Sequence, residues 1–401
     1  MGKRRFVVLS SVGILLLVFA CGETLREDDP LADAGSDAAD ESPSNETGGS
    51  ETGSEDGSVS DAPTCDAALL SDPTNCGACG RTCETAACDA GACEPFNVVA
   101  NWAAVASQNV PIHVVSRDGQ LYIADVNQAG AGSGVLRCTE PVEMKPCNAA
   151  RLFIRPDIRE IVMFDASVAY AAPFNATFEN FDGGVGMFPV DASGVDAMAK
   201  DETIIDARSI ALFGNSTVLV ATSEGVKRCS GVNGSCKTLT AVGGTTNAEH
   251  VVADANGYCY SGVQAGVRGV YCAATLAETP TLRANATTAA SPSIALAGDR
   301  VVWSDQNKLA IRKRAGVEAE MELASGAVLT ATDDVAADDT YVVWTHGNAL
   351  LRCPLAGCGG GDPTLLAVAE QPAVFRSVAI IGKWIYFGQG LFGQKLLRIP
   401  R

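Results

Sequence analysis

The sequence predicts an all-β protein: a seven-bladed β-propeller preceded by a small disulfide-rich knot and a disordered acidic tether. Three observations lead there. Short β-rich runs recur every 40–50 residues from residue 96 onward, which is the length of a four-stranded propeller blade. No amphipathic helical pattern of useful length interrupts them. The 15 cysteines divide into one at position 21, six between 65 and 93, and eight in local pairs among the repeats. Residues 1–20 are thus expected as a signal peptide, 21–64 as a lipidated N-terminus and linker, 65–95 as the knot and 96–401 as the propeller.

The leader begins with the basic Lys3-Arg4-Arg5 and continues as the apolar run Phe6 to Ala20. Such a run is short of the roughly 20 residues that span a bilayer core, so it reads as an export signal. Its end, Leu17-Val18-Phe19-Ala20-Cys21, resembles a bacterial lipoprotein cleavage box. That resemblance implies that Cys21 becomes a lipidated N-terminus, the odd cysteine left after the others pair.

Gly22 to Thr64 carries 13 acidic residues against the single Arg26, a net −12 within a whole-chain charge of −18. With so little apolar surface to bury, it cannot offset its chain entropy and is expected to be disordered. As a flexible coil it would span roughly 35–40 Å. The acidity of the chain therefore belongs mainly to this spacer.

Cys65, Cys76, Cys79, Cys83, Cys88 and Cys93 lie within 29 residues that have little apolar content. In an exported chain this is a disulfide framework whose pairing the spacing leaves open. A redox role for Cys76-Gly77-Ala78-Cys79 lacks the βαβ context it needs, and a zinc site lacks a nearby histidine. Asn75-Cys76-Gly77-Ala78-Cys79, followed by Cys83, Cys88 and Cys93, resembles the Stig1-type cysteine-rich motif, which occurs in plant secreted proteins and in surface lipoproteins of myxobacteria. With the leader, it implies a myxobacterial-type cell-surface lipoprotein. It brings no catalytic residue with it.

Each repeat pairs a Val-, Ile-, Tyr- or Trp-rich strand with an apolar strand ending in Arg and often Cys. Examples are Gly119–Asp125 with Gly134–Cys138, Ser216–Thr222 with Gly225–Cys229, Asp299–Asp305 with Leu309–Lys313, and Thr340–His346 with Ala349–Cys353. Lys383–Phe387 with Lys395–Ile399 is the last, and two poorer copies are Val168–Tyr170 with Gly186–Phe188 and Gly257–Tyr260 with Val270–Cys272. Upstream runs such as Ser293–Ala297 and Ser377–Ile381 suit an innermost strand. The irregular second copy leaves six or eight blades as alternatives to seven. The chain ends after the third strand of the last copy, so Phe96 to Val105 is expected to return and complete that blade, leaving few exposed sheet edges. The runs Trp303-Ser304-Asp305 and Trp344-Thr345-His346 resemble the YWTD and NHL class of propellers, which implies an extracellular interaction role.

The eight remaining cysteines are expected to pair as Cys138 with Cys147, Cys229 with Cys236, Cys259 with Cys272, and Cys353 with Cys358. Each would be a staple closing a small loop. Tyr122, Trp303, Trp344 and Tyr386 read as one recurring position that packs between blades.

Chemistry is sparse. His113, His250 and His346 fall in separate repeats without a second ligand at metal spacing, and no nucleophile elbow, zinc helix or phosphate loop occurs. Asp333-Asp334-Val335-Ala336-Ala337-Asp338-Asp339 reads as a solvated turn. Sequons at Asn175 and Asn285 carry no weight in a bacterial lipoprotein. Arg312-Lys313-Arg314 is the lone basic cluster of the propeller, within residues 65–401 of net −9, which argues against nucleic acid. The resulting expectation is a monomeric, non-catalytic lipoprotein of the bacterial envelope, without cofactor or metal. It would be anchored in the outer membrane or at the cell surface through Cys21, and would display a propeller for an extracellular protein or glycan. The alternative is a secreted propeller lyase or hydrolase acting on extracellular polymer. The two differ in one structural expectation: only the enzyme needs titratable groups converging in the mouth of the central channel.

Overall fold

The structure, a computed structural model, describes residues 71, 76, 82–83, 87–89, 92–106, 108–126, 133–142, 144–155, 157–172, 183–191, 203–229, 236–286, 292–305, 308–325, 332–359, 362–390 and 393–401. The leader, Cys21, the acidic stretch, Cys65 and Cys79 lie outside the described residues.

Seven four-stranded antiparallel sheets make a β-propeller. Their innermost strands are Val110–Arg117, Glu160–Phe164, Ala207–Phe213, Ala248–Asp254, Ser293–Ala297, Thr332–Ala337 and Val374–Ile381, for blades 1 to 7 in that order. These seven strands neighbour one another in cyclic order, with the last beside the first, and so surround a central channel. Blades 1 to 6 are continuous meanders. Tight turns make this local: at Asp118-Gly119 both residues have positive φ (51° and 70°), the pair a two-residue hairpin with right-handed twist requires.

Blade 7 is completed by the distant Phe96–Asn97, which pairs antiparallel with Lys395–Pro400 through Phe96↔Arg398 and Asn97↔Leu397. The return of the chain start to the last repeat is as expected from the sequence. The short helix Trp102–Val105 follows, and the indole Nε1 of Trp102 donates to the Asn109 carbonyl at 3.1 Å.

The core is a series of layers between neighbouring blades, filled by the second strands. One register-equivalent position inside the second strands is Ile123, Tyr170, Val220, Tyr260, Trp303, Trp344 or Phe387, all fully buried. This corrects one reading of the aromatics. Trp303 and Trp344 share that position, whereas the cross-strand register places Tyr122 and Tyr386 one residue earlier. A one-residue offset in a strand puts the side chain on the opposite face of the sheet. The two pairs therefore pack in different inter-blade layers.

The structure bonds Cys138 to Cys147, Cys229 to Cys236, Cys259 to Cys272 and Cys353 to Cys358. Cys259 and Cys272 are direct cross-strand partners within blade 4. In the knot, Cys76 is bonded to Cys88 and Cys83 to Cys93. The sulfurs of Cys76, Cys83 and Cys93 lie within 4.8 Å of one another, but all three are disulfide-bonded and none is a thiolate for a metal.

Candidate site at the mouth of the channel

At the first turn of the innermost strands, one position is polar in every blade: His113, Glu160, Ser209, His250, Ser293, Asp334 and Ser377. Register establishes the equivalence. Opposite them on the second strands stand the small residues Ala124, Ala171, Ala221, Ser261, Ser304, Thr345 and Gly388. In blades 1, 3, 4, 6 and 7 the strand register shifts just before or at this position. A bulge of this sort bends the strand and re-aims the side chain beside it. Small partners and bulges together turn these residues toward the channel and the next blade.

The ring is hydrogen-bonded across blade boundaries. Glu160 Oε2 accepts from the Ser209 hydroxyl at 2.6 Å and from the Ile210 amide at 2.9 Å. Ser209 Oγ in turn accepts from the Val251 amide at 3.0 Å. Asp334 accepts from the Val335 amide at Oδ1 (2.9 Å) and from the Val378 amide at Oδ2 (3.0 Å). Ser377 donates to the Pro111 carbonyl at 3.2 Å, which joins blade 7 to blade 1. Gly388 makes that seam feasible: a Cβ there would lie 2.1 Å from the same carbonyl oxygen. The inner edge of a propeller sheet has no further strand to pair with, so side chains from the preceding blade satisfy its amides.

Four members of the ring are titratable, and their surroundings push them in different directions. Burial holds the His113 imidazole below its ordinary value, against the pull of the Glu160 charge. Burial would lower His250 too, but the Glu160 carboxylate, helped by Asp334 and Glu249, carries it above the ordinary value. His250 Nδ1 lies 3.9 Å from Glu160 Oε1, an ion pair rather than a hydrogen bond. Burial opposes ionisation of Glu160, yet His250, His113 and the Ser209 hydroxyl keep its carboxyl below the usual range. Asp334 is pushed up to about 7: burial dominates and the Glu160 charge adds to it, while the two amides oppose. The ring thus sets a His113 biased toward its neutral form against a His250 biased toward its charged form, beside an ionised Glu160 and an Asp334 that titrates at about 7. The site is enclosed but wet, since the His250 side chain is 41% and Glu160 24% exposed.

Two readings of the sequence are corrected by this geometry. His113 and His250 are in separate blades, as expected, but His250 is ion-paired with Glu160 and His113 lies within reach of its charge, and the repeat pattern did not single out that residue. Asp334 belongs to the innermost strand of blade 6 and not to a solvated turn; only Asp338 and Asp339 form that turn. The cause is cyclic closure. It brings side chains 50 to 220 residues apart to one rim, a distance at which sequence spacing carries no signal. His346, by contrast, ends the second strand of blade 6, opposite Thr332. The basic cluster also resolves into structural contacts. Arg314 binds Asp254 Oδ1 and the Gly298 carbonyl, both at 2.8 Å, and Arg312 binds the Glu318 and Arg283 carbonyls.

Comparison with solved structures agrees on the architecture. The fold is a seven-bladed β-propeller. A catalytically inactive histidine-to-alanine variant of virginiamycin B lyase from Staphylococcus aureus, crystallised with quinupristin, aligns with a TM-score of 0.54 at 12% identity, covering 77% of this chain and 98% of that one. The selenomethionine form of the same Staphylococcus aureus enzyme aligns at 0.50 and 11%, again over 77% and 98%. BamB from Moraxella catarrhalis aligns at 0.46 and 9%, over 73% and 83%. No protein-family model and no curated protein matches the chain.

Proposed function

We propose that this protein is an envelope lipoprotein, lipid-anchored at Cys21, whose propeller carries out acid–base cleavage of an extracellular polymer at the channel mouth. One observation carries the catalytic part: four titratable side chains from blades 1, 2, 4 and 6 converge there with acidities driven apart. Pairs of groups separated in this way are how one site supplies both a base and an acid at one pH. In this reading neutral His113 accepts a proton from the substrate and the protonated fraction of Asp334 delivers one to the leaving oxygen. Glu160 stays ionised and orients His250, whose positive charge faces negative charge developing on the substrate. The convergence is what the enzymatic alternative requires and the purely adhesive one does not.

A second reading retains support from the same hydrogen bonds. Both oxygens of Asp334 and Oε2 of Glu160 are engaged by main-chain amides, as they would be in a site that only binds a protein or a glycan. The experiment that separates them incubates the purified protein with a panel of acidic and neutral polysaccharides. Hydrolysis is read as released reducing ends and elimination as the ultraviolet absorbance of a new conjugated double bond. Turnover that disappears in His113→Gln and Asp334→Asn supports catalysis. Binding by the wild type to a panel member, with no product and no loss on either substitution, supports adhesion. Anchoring has its own test: Cys21→Ser moves the protein from the membrane fraction to the soluble one, and mass spectrometry of the wild-type N-terminal peptide finds acylated Cys21. An unmodified Cys21 in mature protein would end that part of the proposal.

A further inference from the structure

The chain that precedes the propeller does more than donate a closing strand. The described residues between 76 and 106 pack on both sides of blade 7. On the side facing blade 6, Cys76, Cys83 and Cys93 are buried in one cluster with Leu350 and Leu366 of blade 6 and Phe375, Phe387 and Leu397 of blade 7. The knot strand Ala92–Cys93 packs against Thr364–Val368, the outer strand of blade 6. On the side facing blade 1, Phe96, Val98, Val99 and Trp102 join Leu121, Leu136 and Cys138 of blade 1 and Tyr386 and Leu396 of blade 7.

Hydrogen bonds lock the second side. The Val98 amide donates to the Leu396 carbonyl at 2.9 Å, and the Cys147 amide donates to the Val98 carbonyl at 2.9 Å. Asn101 grips Ala149 of blade 1 twice, donating through Nδ2 to its carbonyl at 2.9 Å and accepting its amide at Oδ1 at 2.8 Å. Cys147 is itself bonded to Cys138 on the third strand of blade 1.

We infer that the cysteine knot is a strap that keeps the ring closed at blade 7. The closing strand has only two register pairs with its neighbour, far fewer than the six between the second and third strands of the same blade. Such a short pairing opens easily on its own. The Cys83–Cys93 bond ends three residues before Phe96, so the strand enters the sheet from an immobilised point. The Cys138–Cys147 bond fixes the segment it meets on the other side. The knot thereby fixes the chain immediately before Phe96–Asn97. This inference stands apart from the acid–base reading, and either can fail without the other.

Hydrogen exchange, resolved by blade, tests it on the full chain. In Cys83→Ser/Cys93→Ser, amides of Lys395–Pro400 and Thr364–Val368 are expected to exchange on the order of tenfold faster or more, while Thr217–Thr222 in blade 3 is unchanged. The control Cys229→Ser/Cys236→Ser removes a staple of similar loop size and is expected to loosen blade 3 alone. Unchanged exchange at blade 7, or equal acceleration in all seven blades, overturns the inference. If the double variant does not fold, mild reduction of folded wild type followed by alkylation gives the same reading: modification of Cys83 and Cys93 must accompany faster exchange at Lys395–Pro400. Modification of both without that change also overturns it.

Discussion

Asp334→Asn changes stability with a sign that depends on pH. The carboxyl is ordinary at 3.8 in the unfolded chain and is raised to about 7 in the ring. Well below pH 3.8 both states are protonated and the shift contributes nothing. As pH rises the unfolded chain ionises first, and the folded state loses stability until pH passes about 7, beyond which the penalty is constant. A rise of about 3 pH units corresponds to roughly 4 kcal/mol, reduced to about 2–4 kcal/mol because the channel mouth admits water. Asparagine removes that penalty but offers one oxygen to two amides, Val335 at 2.9 Å and Val378 at 3.0 Å. Leaving one of them unsatisfied costs about 1–3 kcal/mol at any pH. The variant should therefore be less stable than wild type at pH 4.5 and equal or more stable at pH 8.5. Urea unfolding at both values, followed by tryptophan fluorescence and circular dichroism together, gives the two differences. A destabilisation of the same size at both would refute the argument, because it would mean that Asp334 is ionised in the folded state across the range.

Three further outcomes follow from the packing and the pairs. Arg151→Met strands the fully buried Asp125, whose Oδ1 now accepts from Arg151 at 2.7 Å, and should cost about 3–5 kcal/mol in urea unfolding. Adding Asp125→Asn should recover a large part of that loss; no recovery would mean the two charges do not depend on each other. Trp303→Ala empties a fully buried position between blades and should cost about 3–5 kcal/mol, read as a lower urea midpoint with unchanged slope. Ser209→Ala should lower the apparent pKa of His250, since the hydroxyl holds Glu160 toward it, and Ser209→Thr should restore it; an unmoved His250 would remove Ser209 from the network.

Much of this architecture could be read before any coordinates. Blade period, the inner strands Ser293–Ala297 and Ser377–Ile381, and ring closure by Phe96 are all consequences of local strand patterning and of where the last repeat stops. The site was not legible in the same way. Glu160 and Ser209 stand at the beginnings of unremarkable apolar runs, and nothing in their own repeats marks them. Asp334 was hidden in an acidic run whose composition resembles a turn, because the bulge that carries it into the strand depends on Thr345 across the sheet. The knot's place against blades 6 and 7 was equally out of reach: small cysteine-rich segments are apolar mainly through their disulfides, which composition does not count as core.

The most direct test of the account is a titration of His113 and His250 by nuclear magnetic resonance of their imidazole carbons, in wild type and in Glu160→Gln. Two imidazoles titrating on opposite sides of the ordinary 6.5 are expected, His113 below and His250 above. Replacing Glu160 should bring His250 down to or below that value and leave His113 low. Two histidines that both titrate near 6.5, or a His250 indifferent to Glu160, would contradict the claim that the channel mouth is a coupled acid–base site.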